Sequence, residues 1–212
     1  MSAKIFKTNN DSPDRSAVSA CAEVLKNGGL AVFPTETVYG IGVNAFDEDA
    51  LRLLYSKKQR SLDKPLLMHI SSLEMAESIA VLDNRTRELI KKYTPGPLTL
   101  VVKRKSAVPA VAVSGGETVG LRFPSNGFFL ALSRELGLPI AATSANISGF
   151  KSAVNASELS SVIDIADVIV ECGKCELGLE STIVSLVEET PKILRLGSFS
   201  KEKLEEVLGK CV

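Results

Sequence analysis

Short apolar runs alternate along this chain with amphipathic segments of helical period, and this alternation restricts the fold more than any other feature. Leu30–Phe33 and Val168–Glu171 have the pattern of buried strands, whereas Asp47–Ser56 has the pattern of a capped helix. Strands and helices recur in turn to the end of the sequence, which predicts an α/β fold. A short link over Glu188–Pro191 predicts an antiparallel hairpin, so we expect a mixed sheet.

The size and composition fit a globular protein. We expect one domain over residues 1–212. Its 25 basic residues balance 25 acidic ones, so the overall charge favours neither nucleic acid nor a membrane as partner. The start of the chain, Met1–Asn10, is polar and carries no core segment, and no run of apolar residues is long enough to cross a membrane. We therefore predict a cytoplasmic protein.

The cysteines predict no metal site. Of the four cysteines, only Cys172 and Cys175 form a C-x-x-C pair, and His69 is the single histidine. A four-ligand zinc site would have to recruit the two distant cysteines as well. Redox C-x-x-C pairs usually open a helix, whereas this one follows a strand, so redox chemistry is not favoured either.

One polar cluster follows a predicted buried strand at Pro139–Ala142. Hydroxyl and amide side chains come directly after it: Thr143, Ser144, Asn146 and Ser148. Ligands of open α/β sheets bind at the carboxyl ends of strands, so this cluster is a candidate site for a polar, phosphate-bearing ligand. The alternative is a turn whose side chains satisfy their own backbone.

A second candidate loop, Pro34–Gly42, follows the strand Leu30–Phe33 and carries Thr37 among hydroxyls, a carboxylate and two glycines. A glycine-rich turn with Val38 and Tyr39 packed inward would explain the same residues.

A run of cations lies between a helix and a strand. Lys57, Lys58, Arg60 and Lys64 fall within eight residues and lead into the predicted strand Pro65–Ile70. Junctions of this kind often build sites, although lysines at a solvated helix end are common. His69 lies inside this apolar strand and could equally be a hydrogen-bonded core residue.

The segment Thr118–Pro124 alternates as a strand with two different faces. Thr118, Gly120 and Arg122 share one face, and three apolar residues share the other. Arg122 should therefore point away from the apolar side.

Together these segments resemble the YrdC-like family of threonylcarbamoyl-AMP synthases in order and spacing over nearly the whole chain. The matching motifs are P-T-E-T-V-Y-G at 34–40, K-Q-R at 58–60, K-P-L-L-M-H-I at 64–70, P-G-P-L-T at 95–99, V-G-L-R-F-P at 119–124, T-S-A-N-I-S-G at 143–149 and E-S-T-I-V at 180–184. The resemblance implies a twisted, open mixed β-sheet flanked by helices, with a concave basic groove for ATP and L-threonine.

The resemblance also implies a reaction. Threonine, bicarbonate and ATP would give L-threonylcarbamoyladenylate and pyrophosphate, with Mg²⁺ bound to the ATP and no dedicated protein metal site. A partner threonylcarbamoyl transferase complex would then use the product to modify adenosine 37 of tRNA, and direct contact with tRNA or another RNA is possible.

Carried over position by position, the resemblance divides the site residues into two sets. Around threonine it implies Thr37, His69, Arg122, Ser144 and Ser181. Around ATP it implies Lys58, Arg60, Lys64, Thr118, Asn146 and Arg195, with Lys58 and Arg60 in the catalytic role. Arginine forks suit carboxylate and phosphate, which fits Arg122, Arg60 and Arg195, whereas lysines would act as point charges.

The chain departs from the family pattern at two places. It has Ser152-Ala153-Val154 where Ser-Pro-Thr is common, and Arg195-Leu196-Gly197 where Arg-Pro-Gly is common. The first departure puts in doubt a contact to the nucleotide that a threonine side chain of the protein would make at position 154, where this chain has valine. We also expect a short, single-domain form without the additional C-terminal domain of longer relatives. In those relatives the extra domain supplies a lid, and the sequence does not indicate which segment would cover the site here.

Two other functions remain as alternatives. The same groove could bind RNA without turnover, although only 5% of the residues are aromatic and stacking platforms need them. A carbamoyl or acyl transferase acting on a protein is the second alternative, and it would release no pyrophosphate.

Overall fold

The computed structural model describes residues 3–212, so the predictions for Met1 and Ser2 lie outside the described residues. Ten strands form one sheet. They are β1 (Lys4–Lys7), β2 (Ala31–Phe33), β3 (Gly40–Asn44), β4 (Leu67–His69), β5 (Leu98–Lys103), β6 (Thr118–Arg122), β7 (Ile140–Ser144), β8 (Val168–Glu171), β9 (Thr182–Ser185) and β10 (Lys192–Arg195). Their order across the sheet is β1-β8-β2-β3-β7-β4-β6-β5-β9-β10.

In the part of the chain that the structure describes, six α-helices flank the sheet: α1 (Arg15–Lys26), α2 (Glu48–Lys57), α3 (Leu73–Ile79), α4 (Asn84–Tyr93), α5 (Gly127–Leu136) and α6 (Lys201–Leu208). Each begins after a side chain that accepts a hydrogen bond from a first-turn amide: Asp14, Asp47, Ser72, Asp83, Asn126 or Ser200. Short 3₁₀ helices occupy Ala110–Val113 and Ala156–Val162. Within residues 3–212, no helix is both long enough and apolar enough to cross a membrane.

The two faces of the sheet are covered to different extents. On one face, α2, α3, α4 and α6 contribute to a large core that includes Val32, Met68, Leu121 and Val184. On the other face, α1 and α5 form a smaller core with alternate residues of β2, β7 and β8. These two helices leave the surface of β4, β6, β5 and β9 bare on that side, and the bare surface becomes the floor of the candidate site.

The predicted mixed α/β fold is confirmed. β9 and β10 form the expected antiparallel hairpin, whereas β4 and β6 are parallel. The alternation of β6 is also confirmed, because Val119, Leu121 and Phe123 lie in the large core, away from Arg122.

Two local boundaries were wrong, and one strand was not predicted. Lys4–Lys7 forms strand β1 because its partner β8 supplies the hydrogen bonds. The glycine-rich loop ends early, since Gly40 and Gly42 already belong to β3. The strand expected to end at Ala142 continues to Ser144, which pairs with Gly40. In each case pairing across the sheet overrides a weak local strand preference.

Candidate functional site

A cavity of about 450 Å³ opens over the bare half of the sheet. Its floor comes from β4, β5, β6 and β9, and residues of β7 and β10 and of the loops before β3, before β4 and before β9 complete the lining. The lining combines hydroxyls and cations with an apolar floor; its members include Thr35, Thr37, Arg60, Leu67, His69, Val101, Thr118, Arg122, Thr143, Ser144, Glu180, Ser181, Ile183, Leu194 and Arg195.

A glycine keeps the middle of this floor low. A Cβ atom added to Gly120 would lie 2.6 Å from Leu67 Cδ2 and 3.5 Å from Thr99 Cγ2. A larger residue would displace the Leu67 side chain and fill part of the cavity floor, so the depth of the groove depends on this position.

Arg122 and Glu36 form a buried ion pair at one end of the cavity. Arg122 is 2% exposed and Glu36 4%, and Nη2 of the arginine donates to Oε1 of the glutamate at 2.6 Å. Arg122 also donates to the carbonyl of Gly96 at 2.5 Å and to Thr37 Oγ1 at 3.4 Å. The other carboxylate oxygen of Glu36 accepts the Ser125 amide at 3.2 Å. Three of the five N–H groups of Arg122 are therefore used within the chain, and two remain for a ligand.

His69 lies beside this pair as a neutral ring. It packs against Phe33 and Phe129, with ring centroids 6.1 Å and 5.9 Å away. Burial, reinforced by the nearby charge of Arg122, lowers the pKa of His69 to about 3. At neutral pH the ring therefore carries no charge. Its Nδ1 lies 3.4 Å from the Leu67 carbonyl, which can only accept a hydrogen bond, so Nδ1 carries the proton and Nε2 is left as an acceptor.

Ser181 and Arg195 stand on the neighbouring wall. Arg195 donates to the carbonyl of Ser181 at 2.9 Å and 3.1 Å, to its hydroxyl at 3.2 Å and to Glu180 Oε2 at 2.7 Å. Ser181 Oγ also lies 2.8 Å from the hydroxyl of Thr99, which is fully buried. The Ser181 hydroxyl is thus held from two sides.

The opposite end of the cavity carries Arg60, Thr118 and Ser144. The strand register places Ile140 beside His69 and Ser144 four residues further along β7, a distance of about 13 Å. Arg60 is fixed there by the carbonyls of Lys64 and Pro65, at 3.1 Å and 2.9 Å. Ser144 was assigned to the threonine set, but it lies at this end, whereas Arg195, assigned to the nucleotide set, lies near Arg122.

Three residues predicted for the site do not line the cavity. Lys58 is 1% exposed, and its ammonium group lies beneath the loop after β7, where it donates to the Ser144 carbonyl and, at 3.4 Å, to Asn146 Oδ1. Burial, with a smaller contribution from Arg60, lowers the pKa of Lys58 to about 7. Asn146 is itself buried and accepts from Ser144 Oγ at 2.6 Å. Lys64 is exposed, and only its backbone carbonyl meets Arg60 and Tyr55.

The charge of the cavity is more balanced than expected. Glu36 pairs with Arg122 and Glu180 with Arg195, so that within residues 3–212 only Arg60 among the lining arginines makes no ion pair. The concave groove is present, whereas its basic character stays a prediction. Within the same residues, no three His, Cys, Asp or Glu side chains form a group that could hold a metal ion.

Sequence reasoning missed Glu36, Gly96 and Thr99, which hold the lining residues from behind. Glu36 and Thr99 lie in the motifs at 34–40 and 95–99, but nothing local indicates that they reach Arg122 and Ser181. The contacts join residues 86 and 82 positions apart. The available signal was a glutamate that lies between two apolar segments, in Thr35-Glu36-Thr37. A carboxylate in such a place becomes buried, and buried carboxylates are rarely left without a partner.

Comparison with known proteins places this geometry in a family. A family model for Sua5, YciO and YrdC, described as "Telomere recombination", matches residues 23–197. The threonylcarbamoyl-AMP synthase of Pyrococcus abyssi is 38% identical over 91% of this chain, and that of Bacillus subtilis is 38% identical over 95%. The chain spans 57% and 59% of the length of these two relatives. It spans 90% of a Mycobacterium tuberculosis relative that is 40% identical over 92% of the chain.

Solved structures agree with the sequence comparison. The crystal structure of P. abyssi Sua5 complexed with L-threonine superposes with a TM-score of 0.94 at 37% identity, over 97% of this chain and 61% of that one. Escherichia coli YciO superposes with a TM-score of 0.86 at 25% identity, over 93% of this chain and 97% of that one.

Proposed function

This chain belongs to the Sua5/YciO/YrdC family, and from that premise we propose that it is an L-threonylcarbamoyladenylate synthase. The substrates are L-threonine, bicarbonate and ATP, and the products are threonylcarbamoyl-AMP and pyrophosphate. The observation that carries the proposal is a single cavity with different chemistry at its two ends, about 13 Å apart by strand register. One end offers a fixed guanidinium and neutral donors, and the other offers hydroxyls and an unpaired arginine.

The amino acid belongs at the end of Arg122. Two N–H groups of its guanidinium remain for a carboxylate, and Thr37, His69 and Ser181 surround it with uncharged polar atoms. The P. abyssi Sua5 structure in complex with L-threonine supports the choice of ligand.

The nucleotide phosphates belong at the end of Arg60. Arg60 carries the unpaired charge there, and Thr118 and Ser144 add hydroxyls. Lys58 and Asn146 do not line this end but both bond to Ser144, which does, and Arg195 lies nearer the amino acid.

In the proposed reaction the threonine amine takes up bicarbonate as a carbamate and releases water. A carbamate oxygen then attacks the α-phosphorus of ATP, and pyrophosphate leaves with the electrons of the broken P–O bond. This chain aligns the two reactants and stabilises charge on the phosphoryl oxygens through Arg60. Mg²⁺ would be held by the nucleotide phosphates, since the described residues offer no acidic cluster for it, and it would supply neutralisation of their charge.

The product is the activated intermediate for threonylcarbamoylation of adenosine 37 in tRNA, and a transferase complex that consumes it is the proposed partner. The relatives named as synthases favour this enzyme over an RNA-binding module. Binding of RNA that depends steeply on salt, without consumption of ATP, would favour the module instead.

The test is an assay of pyrophosphate release with the purified chain. Release should require ATP, threonine and bicarbonate together. Arg60→Ala should lower kcat/KM by at least about tenfold, because a charge-assisted bond to phosphate contributes roughly 1.5–3 kcal/mol. Arg52→Ala, at an exposed arginine of α2, is the matched control and should leave turnover unchanged. Pyrophosphate release without threonine, or wild-type turnover of the Arg60 variant, would contradict the proposal.

A further inference from the structure

Thr99 is a buried hydroxyl residue that does not line the cavity. It lies on β5 opposite Arg122 of β6 and Ile183 of β9, and none of its surface is exposed. Within residues 3–212, its hydroxyl has one hydrogen-bond partner, Ser181 Oγ at 2.8 Å. A buried threonine hydroxyl needs a hydrogen-bond partner, and the partner of Thr99 is a residue of the cavity wall.

The direction of this hydrogen bond follows from the partners. Arg195 can only donate, and its Nη2 donates to Ser181 Oγ at 3.2 Å. If Ser181 donated to Thr99, the proton of Thr99 would be left unpaired in the interior, which costs free energy. The satisfied arrangement has Thr99 donating to Ser181. Both lone pairs of the Ser181 oxygen are then occupied, and its single proton remains for the cavity.

We propose that Thr99 is a positioning residue that, with Arg195, fixes the Ser181 hydroxyl as a hydrogen-bond donor into the cavity. Ser181 would then recognise an accepting oxygen of the ligand and not an ammonium group. Because Ser181 stands at the same end of the cavity as Arg122, the oxygen it selects belongs to the carboxylate of the amino acid. This inference rests on the proposed function, since it takes L-threonine as the ligand.

The experiment measures the dissociation constants of L-threonine and of ATP by calorimetry on the full chain. Thr99→Val removes one hydroxyl at nearly constant volume. The Kd of threonine should rise by roughly fivefold, the effect of one hydrogen bond of ordinary strength, while that of ATP stays within about twofold. Thr99→Ser keeps the hydroxyl and should restore wild-type affinity.

Thr86→Val is the matched control. Thr86 is also buried, and its hydroxyl donates to Asp83 at 2.6 Å in α4, on the opposite face of the sheet. The thermal stability of the Thr86→Val variant should fall by about as much as that of the Thr99→Val variant, while its Kd for threonine stays unchanged. A stability effect alone therefore cannot imitate the predicted result.

A double-mutant cycle with Ser181→Ala tests whether Thr99 acts through Ser181. Ser181→Ala should weaken threonine binding by about tenfold, and adding Thr99→Val should weaken it no further. Thr99→Ala replaces the valine variant if the latter does not fold.

Three outcomes would overturn the inference. They are losses of threonine affinity that add up in the double variant, a threonine Kd unchanged by Thr99→Val, or a loss of affinity for ATP alone. A wild-type chain that does not bind threonine at all would overturn the proposed function, and this inference with it.

Discussion

Two arginine–glutamate pairs border the same cavity in opposite environments. The side chains of Arg122 and Glu36 are 2% and 4% exposed, whereas those of Arg195 and Glu180 are 38% and 37% exposed. Their shortest distances are nearly equal, at 2.6 Å and 2.7 Å. Because the two pairs have nearly the same contact distance but different burial, a difference between them in the free energy of unfolding reports the effect of desolvation.

Further hydrogen bonds hold both side chains of the buried pair in position. Arg122 has further acceptors in Gly96 and Thr37, and Glu36 has a further donor in the Ser125 amide. Burial lowers the pKa of Arg122 below its ordinary value, and the charge of Glu36 acts in the opposite direction. In the half-exposed pair, the carboxylate of Glu180 can exchange Arg195 for water, while Arg195 keeps its hydrogen bonds to Ser181. We infer that the first pair is a fixed element of the site, whereas the Glu180 side of the second pair can adjust when a ligand enters.

The largest difference is expected when one partner of each pair is removed. Glu36→Ala should lower the free energy of unfolding by about 3–5 kcal/mol, because it leaves the Arg122 charge buried without compensation. Glu180→Ala should lower it by about 0–1 kcal/mol. Urea denaturation of both variants measures the two losses. Similar losses would mean that burial does not distinguish the pairs.

Replacing both members of the buried pair should recover part of this loss. The double variant Glu36→Leu/Arg122→Met carries no buried charge, so we expect it to be about 2 kcal/mol more stable than Glu36→Ala alone. Urea denaturation again provides the measurement. A double variant less stable than the single one would show that the hydrogen bonds to Gly96 and Ser125, not the uncompensated charge, dominate the cost.

The buried end should also make stability depend on pH through His69. The pKa of His69 is lowered from 6.5 to about 3 by burial and by Arg122, so the unfolded chain takes up the proton first as the pH falls. Stability should therefore decrease from about pH 6.5 downward, by about 2 kcal/mol at pH 5. His69→Gln should remove this part of the pH profile of unfolding. Parallel profiles for the variant and the wild type would contradict the prediction.

The smallest expected effect is that of salt on the half-exposed pair of Arg195 and Glu180. At low ionic strength Glu180→Ala should cost about 0.5 kcal/mol, and near 1 M NaCl this cost should vanish, because the Debye length falls to about 3 Å. The cost of Glu36→Ala should persist at high salt, since ions do not reach the buried pair. A salt-independent cost at Glu180 would indicate that its hydrogen bond to Ser152 matters more than its charge.

Much of the fold could be predicted because its signals are local. Val168–Glu171 was identified from its apolar run and is strand β8, and Asp47 was identified as the cap of α2 from its own side chain and the residues after it. Strand β1 and strand β3 were missed. One is a four-residue segment that begins and ends with lysine, the other is rich in glycine, and each pairs with a neighbouring strand that offers its backbone groups.

The candidate site divides in the same way. The alternation of β6 was enough to place Arg122 on the face opposite the core. It could not indicate that Glu36 would pair with the guanidinium, or that Lys58 would be buried against Ser144 and Asn146. Those outcomes depend on contacts between distant segments, for which one sequence carries no pattern.

The sequence by itself determined the α/β class, the helix caps, the faces of the strands and the family to which the chain belongs, since each depends on residues close together or on motif order. Only the tertiary structure decided which charges are paired, which cations reach the cavity and which hydroxyl holds another in place. The physical reason is that charges and hydrogen bonds act over a few ångströms of space, and the sheet brings to that distance residues that are 80 or more positions apart along the chain.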